Sequence, residues 1–90
     1  MRPVHPGRIL KNELAARGLS ASRLALNLHV PSGRITDIIN GKRGISAETA
    51  VRLSLYFGNS GLFWMNLQSQ YELGNVEQTL GEQIKSEMVR

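Results

Sequence analysis

Between Ser20 and Gly41 the chain carries two short apolar repeats separated by only a few residues. The first is Leu24, Ala25 and Leu28; the second is Ile35, Ile38 and Ile39. Both have the spacing of a helix with one covered face. Ser20 stands where an N-cap oxygen accepts an orphan amide hydrogen, and Leu19 is placed to staple onto Leu24. Asn40-Gly41 ends the second repeat. The link Leu28-His29-Val30-Pro31 is too short to let the two helices lie apart. They must cross, and Ala25 is the small side chain that a close crossing needs.

The same punctuation runs along the whole chain. Gly18, Gly41, Gly58 and Gly74 follow apolar periodic stretches as C-caps do, and Ser20, Ser46 and Ser60 precede others as N-caps do. The predicted helices are 6–17, 21–28, 32–40, 47–57, 61–73 and 76–88. The first buries Leu10 and Leu14, with Ile9 beside them, and leaves Arg8, Lys11, Asn12 and Glu13 to water. The fourth buries Ala50, Leu53 and Phe57; the fifth carries Phe63, Trp64, Leu67 and Tyr71. The sixth has Val76, Leu80, Ile84 and Met88 at intervals of four, a thin stripe that leans on another surface rather than being enclosed. No segment alternates with period two, so the expected fold is all-α with five to six helices.

Ninety residues make one domain with a modest core, for which dimerisation is a natural supplement. The absence of cysteine excludes disulfides, thiolate metal sites and thiol catalysis, and fits a cytoplasmic location. No apolar run approaches the roughly 20 residues of a membrane span, and the N-terminus has no apolar core of a signal peptide. The net charge of +4 is unevenly spread. Residues 1–71 hold nine Arg and Lys against three acids, whereas 72–90 hold two against four. A basic body points to a polyanionic partner. An enzyme is not expected: no nucleophile, base and orienter come together, no spacing suits a metal, and no glycine loop opens a helix to cradle phosphate. His5 and His29 are too isolated to be metal ligands or an acid–base pair, and no cofactor is expected.

The spacing of Ala25, Val30, Ile35 and Ile38 resembles the Cro/CI-like, or XRE-type, helix-turn-helix. Two positions depart from it. His29 stands where the turn usually has glycine, and histidine is one of the side chains best tolerated in a left-handed conformation. Ala21 replaces a glutamine that often opens the second helix and touches phosphate, a role that Ser20 or Ser22 must take if any residue does. The resemblance widens with His5-Pro6-Gly7, Gly41-Lys42-Arg43-Gly44-Ile45-Ser46, Ala50-Val51-Arg52-Leu53, Phe63-Trp64-Met65-Asn66-Leu67-Gln68 and Tyr71-Glu72-Leu73. In this order the series is similar to the HigA antitoxins, also known as VapI-like addiction-module antidotes, over about residues 2–75. That resemblance implies a lambda-repressor-like DNA-binding domain over 1–75, followed by a C-terminal helical segment, 76–90, for dimer or toxin contact. It further implies a homodimer that represses its own operon at a palindromic operator. It implies, too, that the protein binds and neutralises a HigB-type, mRNA-cleaving ribonuclease toxin.

On a helix-turn-helix, the third helix enters the major groove with its N-terminal residues nearest the base edges. Ser32, Gly33, Thr36 and Asp37 then face bases; serine and threonine can bond either edge, and aspartate can accept from a cytosine amino group. Gly33 lets the backbone come close. Arg34 is the candidate for guanine or phosphate, with a pair to Asp37 as the alternative. Asn40, Lys42 and Arg43 lie where a phosphate strand passes, and Arg23 holds the opposite flank. Phe63, Trp64, Leu67 and Tyr71 are expected in the core or a dimer interface. Glu77, Glu82 and Glu87 are candidates for a basic toxin, with the N-terminal segment and first helix as the alternative surface. Two other readings stay open: a stand-alone repressor without a toxin, and a protein-interaction module that no longer binds DNA.

Overall fold

The computed structural model describes residues 3–88. Met1, Arg2, Val89 and Arg90 lie outside them, and with them the outer ends of the expected segments 1–75 and 76–90. The described residues form five helices and no strand: α1 (Pro6–Arg17), α2 (Ala21–Leu28), α3 (Ser32–Ile39), α4 (Ala47–Phe57) and α5 (Gly61–Met88). Serine caps act as their positions predict. Ser20 Oγ accepts from the Arg23 amide at 3.1 Å, Ser46 Oγ from Thr49 at 3.3 Å and Ser60 Oγ from Phe63 at 3.0 Å. The third helix closes at Ile39, one residue early, because Asn40 is already its cap, at φ −85° and ψ 4°.

The predicted fifth and sixth helices are one continuous helix of 28 residues. Gly74 does not cap a helix end; it lies within α5. A Cβ there would come 2.9 Å from the Pro3 side chain, so this glycine admits the N-terminal segment rather than stopping the helix. At 1.5 Å per residue α5 is about 42 Å long, which accounts for overall dimensions of 53 × 22 × 21 Å. Beyond Asn75 every described residue except Gly81 is exposed, so the last turns project from the body.

The core is a single cluster of Leu10, Leu14, Leu24, Ala25, Leu28, Ile35, Ile38, Ile45, Ala50, Leu53 and Trp64. Every helix contributes to it. Phe57 and Leu67 pack at its rim, half-buried, and Phe63 is exposed. The α2–α3 crossing is tight: Ala25 is 1 % exposed, and the Val30 amide donates to its carbonyl at 3.0 Å. His29 adopts φ 59° and ψ 45°, the left-handed conformation that glycine usually supplies. The turn therefore keeps its geometry with a side chain in place. α1 passes directly beneath α3; a Cβ on Gly7 would collide with the Ile38 carbonyl.

Candidate nucleic-acid interface

Burying Ile35 and Ile38 turns the opposite side of α3 outward. Ser32, Gly33, Thr36 and Asn40 are exposed there, with Arg34 and Asp37 half-exposed at the edges. The fold thus brings these six candidates onto one surface. Nothing lies within 4 Å of a Cβ built on Gly33, so this position is open on the outward side of α3. Thr36 Oγ1 donates to the Ser32 carbonyl at 3.2 Å, leaving oxygen lone pairs to accept from outside. Lys42 and Arg43 extend the surface past the helix end and are exposed. Arg23 lies exposed in the first turn of α2, beside its cap.

Arg34 pairs with Glu48, at 3.3 Å, and not with Asp37. The other oxygen of Glu48 takes Arg52 at 3.1 Å. The hydrogen bond and charge of Arg52, then the charge of Arg34, hold the Glu48 carboxyl below its ordinary value. Arg52 also donates at 2.8 Å to the Leu28 carbonyl, at the negative end of α2. An acid thus holds Arg34 beside the surface, where a polyanion could displace it.

The basic loop is anchored from below by Gln68, the last residue of the Phe63-Trp64-Met65-Asn66-Leu67-Gln68 block. Gln68, 7 % exposed, accepts the Ile45 amide hydrogen on Oε1 at 2.8 Å and donates to Glu72 at 2.7 Å. It lies so close that a Cβ on Gly44 would come 2.7 Å from its Nε2. His5, in the segment before α1, accepts the Gly7 amide hydrogen on Nδ1 at 2.9 Å and meets the Tyr71 ring edge-on at 4.7 Å. Burial pushes the His5 imidazole below its ordinary value, against the opposing effect of the Arg43 backbone bond. The sequence signal for Gln68 is a polar residue four positions after Trp64, on the covered side of α5.

The remaining candidates divide. Trp64 is core, 1 % exposed, with its indole N–H donating to Asn59 at 2.9 Å. Leu67 and Tyr71 are half-buried against the body, and of these four aromatic and aliphatic candidates Phe63 alone is exposed, at 43 %. Glu77, Glu82 and Glu87 are all exposed. Their five-residue spacing turns each about 140° from the last, so they ring the helix instead of forming one face. An apolar row does form: Leu62, Leu73, Val76, Leu80 and Ile84 are 42–67 % exposed. They lie roughly 120–200° around α5 from Trp64, on the side away from the body. Among the described residues no helix is long and apolar enough to cross a membrane.

Comparison with known proteins gives a consistent picture. The helix-turn-helix family HTH_3 matches residues 10–64. Virulence-associated protein I of Dichelobacter nodosus is 48 % identical over 79 residues, 87 % of this chain and 73 % of that protein. An addiction module antidote of the HigA family from Coxiella burnetii is 43 % identical, covering 100 % and 99 % of the two chains at a TM-score of 0.95. The antitoxin HigA of Pseudomonas aeruginosa, solved with the higBA promoter, is 45 % identical over 98 % and 97 % at a TM-score of 0.95.

Proposed function

The chain belongs to the helix-turn-helix family of HigA antitoxins, and on that footing we propose that it is a sequence-specific DNA-binding antitoxin. It represses its own operon at a palindromic operator and neutralises a HigB-type ribonuclease toxin by direct contact. The observation that carries the DNA-binding part is the likeness, along nearly its whole length, to an antitoxin solved with its promoter. The exposed face of α3 supports the same reading. Ser32, Thr36 and Asp37 address base edges, and Gly33 lets the backbone approach. Arg34 exchanges Glu48 for guanine or phosphate. Asn40, Lys42, Arg43 and Arg23 hold the phosphates on either side.

One α3 covers one half-site, so specific binding needs two copies with their reading helices about 34–36 Å apart. The apolar row on the outer side of α5 supplies the pairing surface, with Phe63 at its margin. Toxin contact falls to the projecting turns of α5, where Glu77, Glu82 and Glu87 offer negative charge to a basic ribonuclease. Residues 76–90 therefore act as the partner-binding segment and 1–75 as the DNA reader. Reversing all three glutamates should abolish neutralisation in a co-expression growth assay; full protection would end that assignment.

The DNA reading is tested by fluorescence anisotropy on a labelled duplex from upstream of the gene, against a scrambled duplex, at about 50 and 200 mM salt. A dimer with roughly 6–10 phosphate contacts loses about 10³–10⁵ in affinity over that range. A preference of about 10³ or more over the scrambled duplex is the expected result. Equal, weak binding to both would remove the operator-reading role and favour a protein-interaction module.

A further inference from the structure

We infer that Gln68 is a positioning residue for the DNA-facing loop Gly41–Gly44, holding Lys42 and Arg43 at the height of the phosphate strand. The inference rests on the proposed DNA-binding role, and it assigns part of that role to a side chain beneath the surface. Gln68 is buried on α5, 7 % exposed. Yet the loop contains no helix or strand of its own to fix it. At its start, the Gly41 and Lys42 amides donate to the Ile38 and Asp37 carbonyls of α3 at 3.1 and 2.8 Å. At its far end the fixing group is a side chain from elsewhere in the chain, the Gln68 oxygen, which accepts the Ile45 amide hydrogen at 2.8 Å.

The chemistry fits a role in position more than in stability. A buried glutamine in an apolar cluster brings polar atoms that must all be satisfied. Here both ends are used, the oxygen by Ile45 and the nitrogen by Glu72, so the side chain cannot swing. Gly44 allows the loop to rest directly on that amide; any side chain there would lift it. Two long cationic side chains gain affinity only if their backbone is already placed, since ordering it on binding costs conformational entropy.

The test compares the full chain with Gln68→Met, which keeps size and loses the acceptor. A second variant, Gln68→Glu with Glu72→Gln, keeps an acceptor for Ile45 and reverses the donor between the two side chains. Two readouts are taken on folded protein: amide hydrogen exchange, and the salt dependence of binding to a generic 24-base-pair duplex. Gln68→Met should speed exchange at 42–45 by about tenfold or more, with the α1–α4 core unchanged. It should also lower the salt slope by about one to two and weaken binding roughly tenfold. The exchanged pair should restore both. A general loss of protection with an unchanged slope, or wild-type loop exchange in Gln68→Met, overturns the inference. If the wild type itself shows no salt-dependent binding, the proposed function fails, while loop exchange still decides what Gln68 positions.

Discussion

The first and second halves of α5 belong to one unbroken helix, yet they meet opposite surroundings. From Gly61 to Asn75 the helix lies on the body, with Trp64 and Gln68 buried and Leu67, Tyr71 and Gly74 half-covered. From Val76 to Met88 nearly everything faces outward, and the apolar side chains lie on the other side of the helix. The first half carries apolar side chains on both sides: Trp64 and Leu67 toward the body, and Leu62 and Leu73 on the outer row that continues through Val76, Leu80 and Ile84. Only the inner side is covered within the described chain. Helical periodicity alone therefore does not mark a core; the direction of the face decides it.

The largest expected effect tests this contrast directly. Trp64→Ala should cost about 3–5 kcal/mol and leave the domain barely folded in urea denaturation. Leu80→Ala, also an apolar truncation on α5, should leave unfolding of the dilute monomer within about 0.5 kcal/mol of wild type. It should instead weaken self-association in sedimentation equilibrium. Comparable losses of stability from both would mean that the projecting half is packed after all.

Glycines sharpen the comparison at smaller scale. Gly81 has open space where a Cβ would stand, so Gly81→Ala should stabilise the chain by about 0.5–1 kcal/mol through helix propensity. Gly74→Ala brings the same propensity but forces Pro3 aside from a 2.9 Å approach. Its thermal midpoint should fall below that of Gly81→Ala by a few degrees, as the N-terminal segment is pushed off the helix. Equal gains at both positions would show that the segment gives way freely.

The smallest effect is acid sensitivity of the covered half. The folded form depresses the His5 value, so it binds fewer protons there than the unfolded chain does. Its contribution is present above the ordinary value of 6.5 and is lost as pH falls through the lower folded value. Protonation also takes the Nδ1 lone pair from the Gly7 amide. Between pH 7.5 and 5.5 the midpoint of the wild type should fall by more than that of His5→Asn; parallel curves would disconnect His5 from the loss.

Much of the body was legible in the residues. The ranges of α1, α2 and α4, the serine caps, the Ala25 crossing and the outward face of α3 follow from local spacing and capping chemistry. The break expected at Gly74 did not, because the reason for that glycine is Pro3, seventy-one positions earlier in the chain. Phe63 follows the same logic: it sits beside Trp64 in sequence but about 100° around the helix, and only the packing decides which of the two is enclosed. Gln68, His5 and Glu48 act through contacts 23, 66 and 14 residues away, and no helical period carries such information.

The continuity of α5 also makes it a ruler. One residue inserted after Gly74 would carry everything beyond it forward by about 1.5 Å and turn it by about 100°. If the outer row sets the distance between two reading helices, the spacing of the half-sites is written into the length and phase of this rod. A change of spacing would then have to come in steps that restore the phase of the row, not one residue at a time.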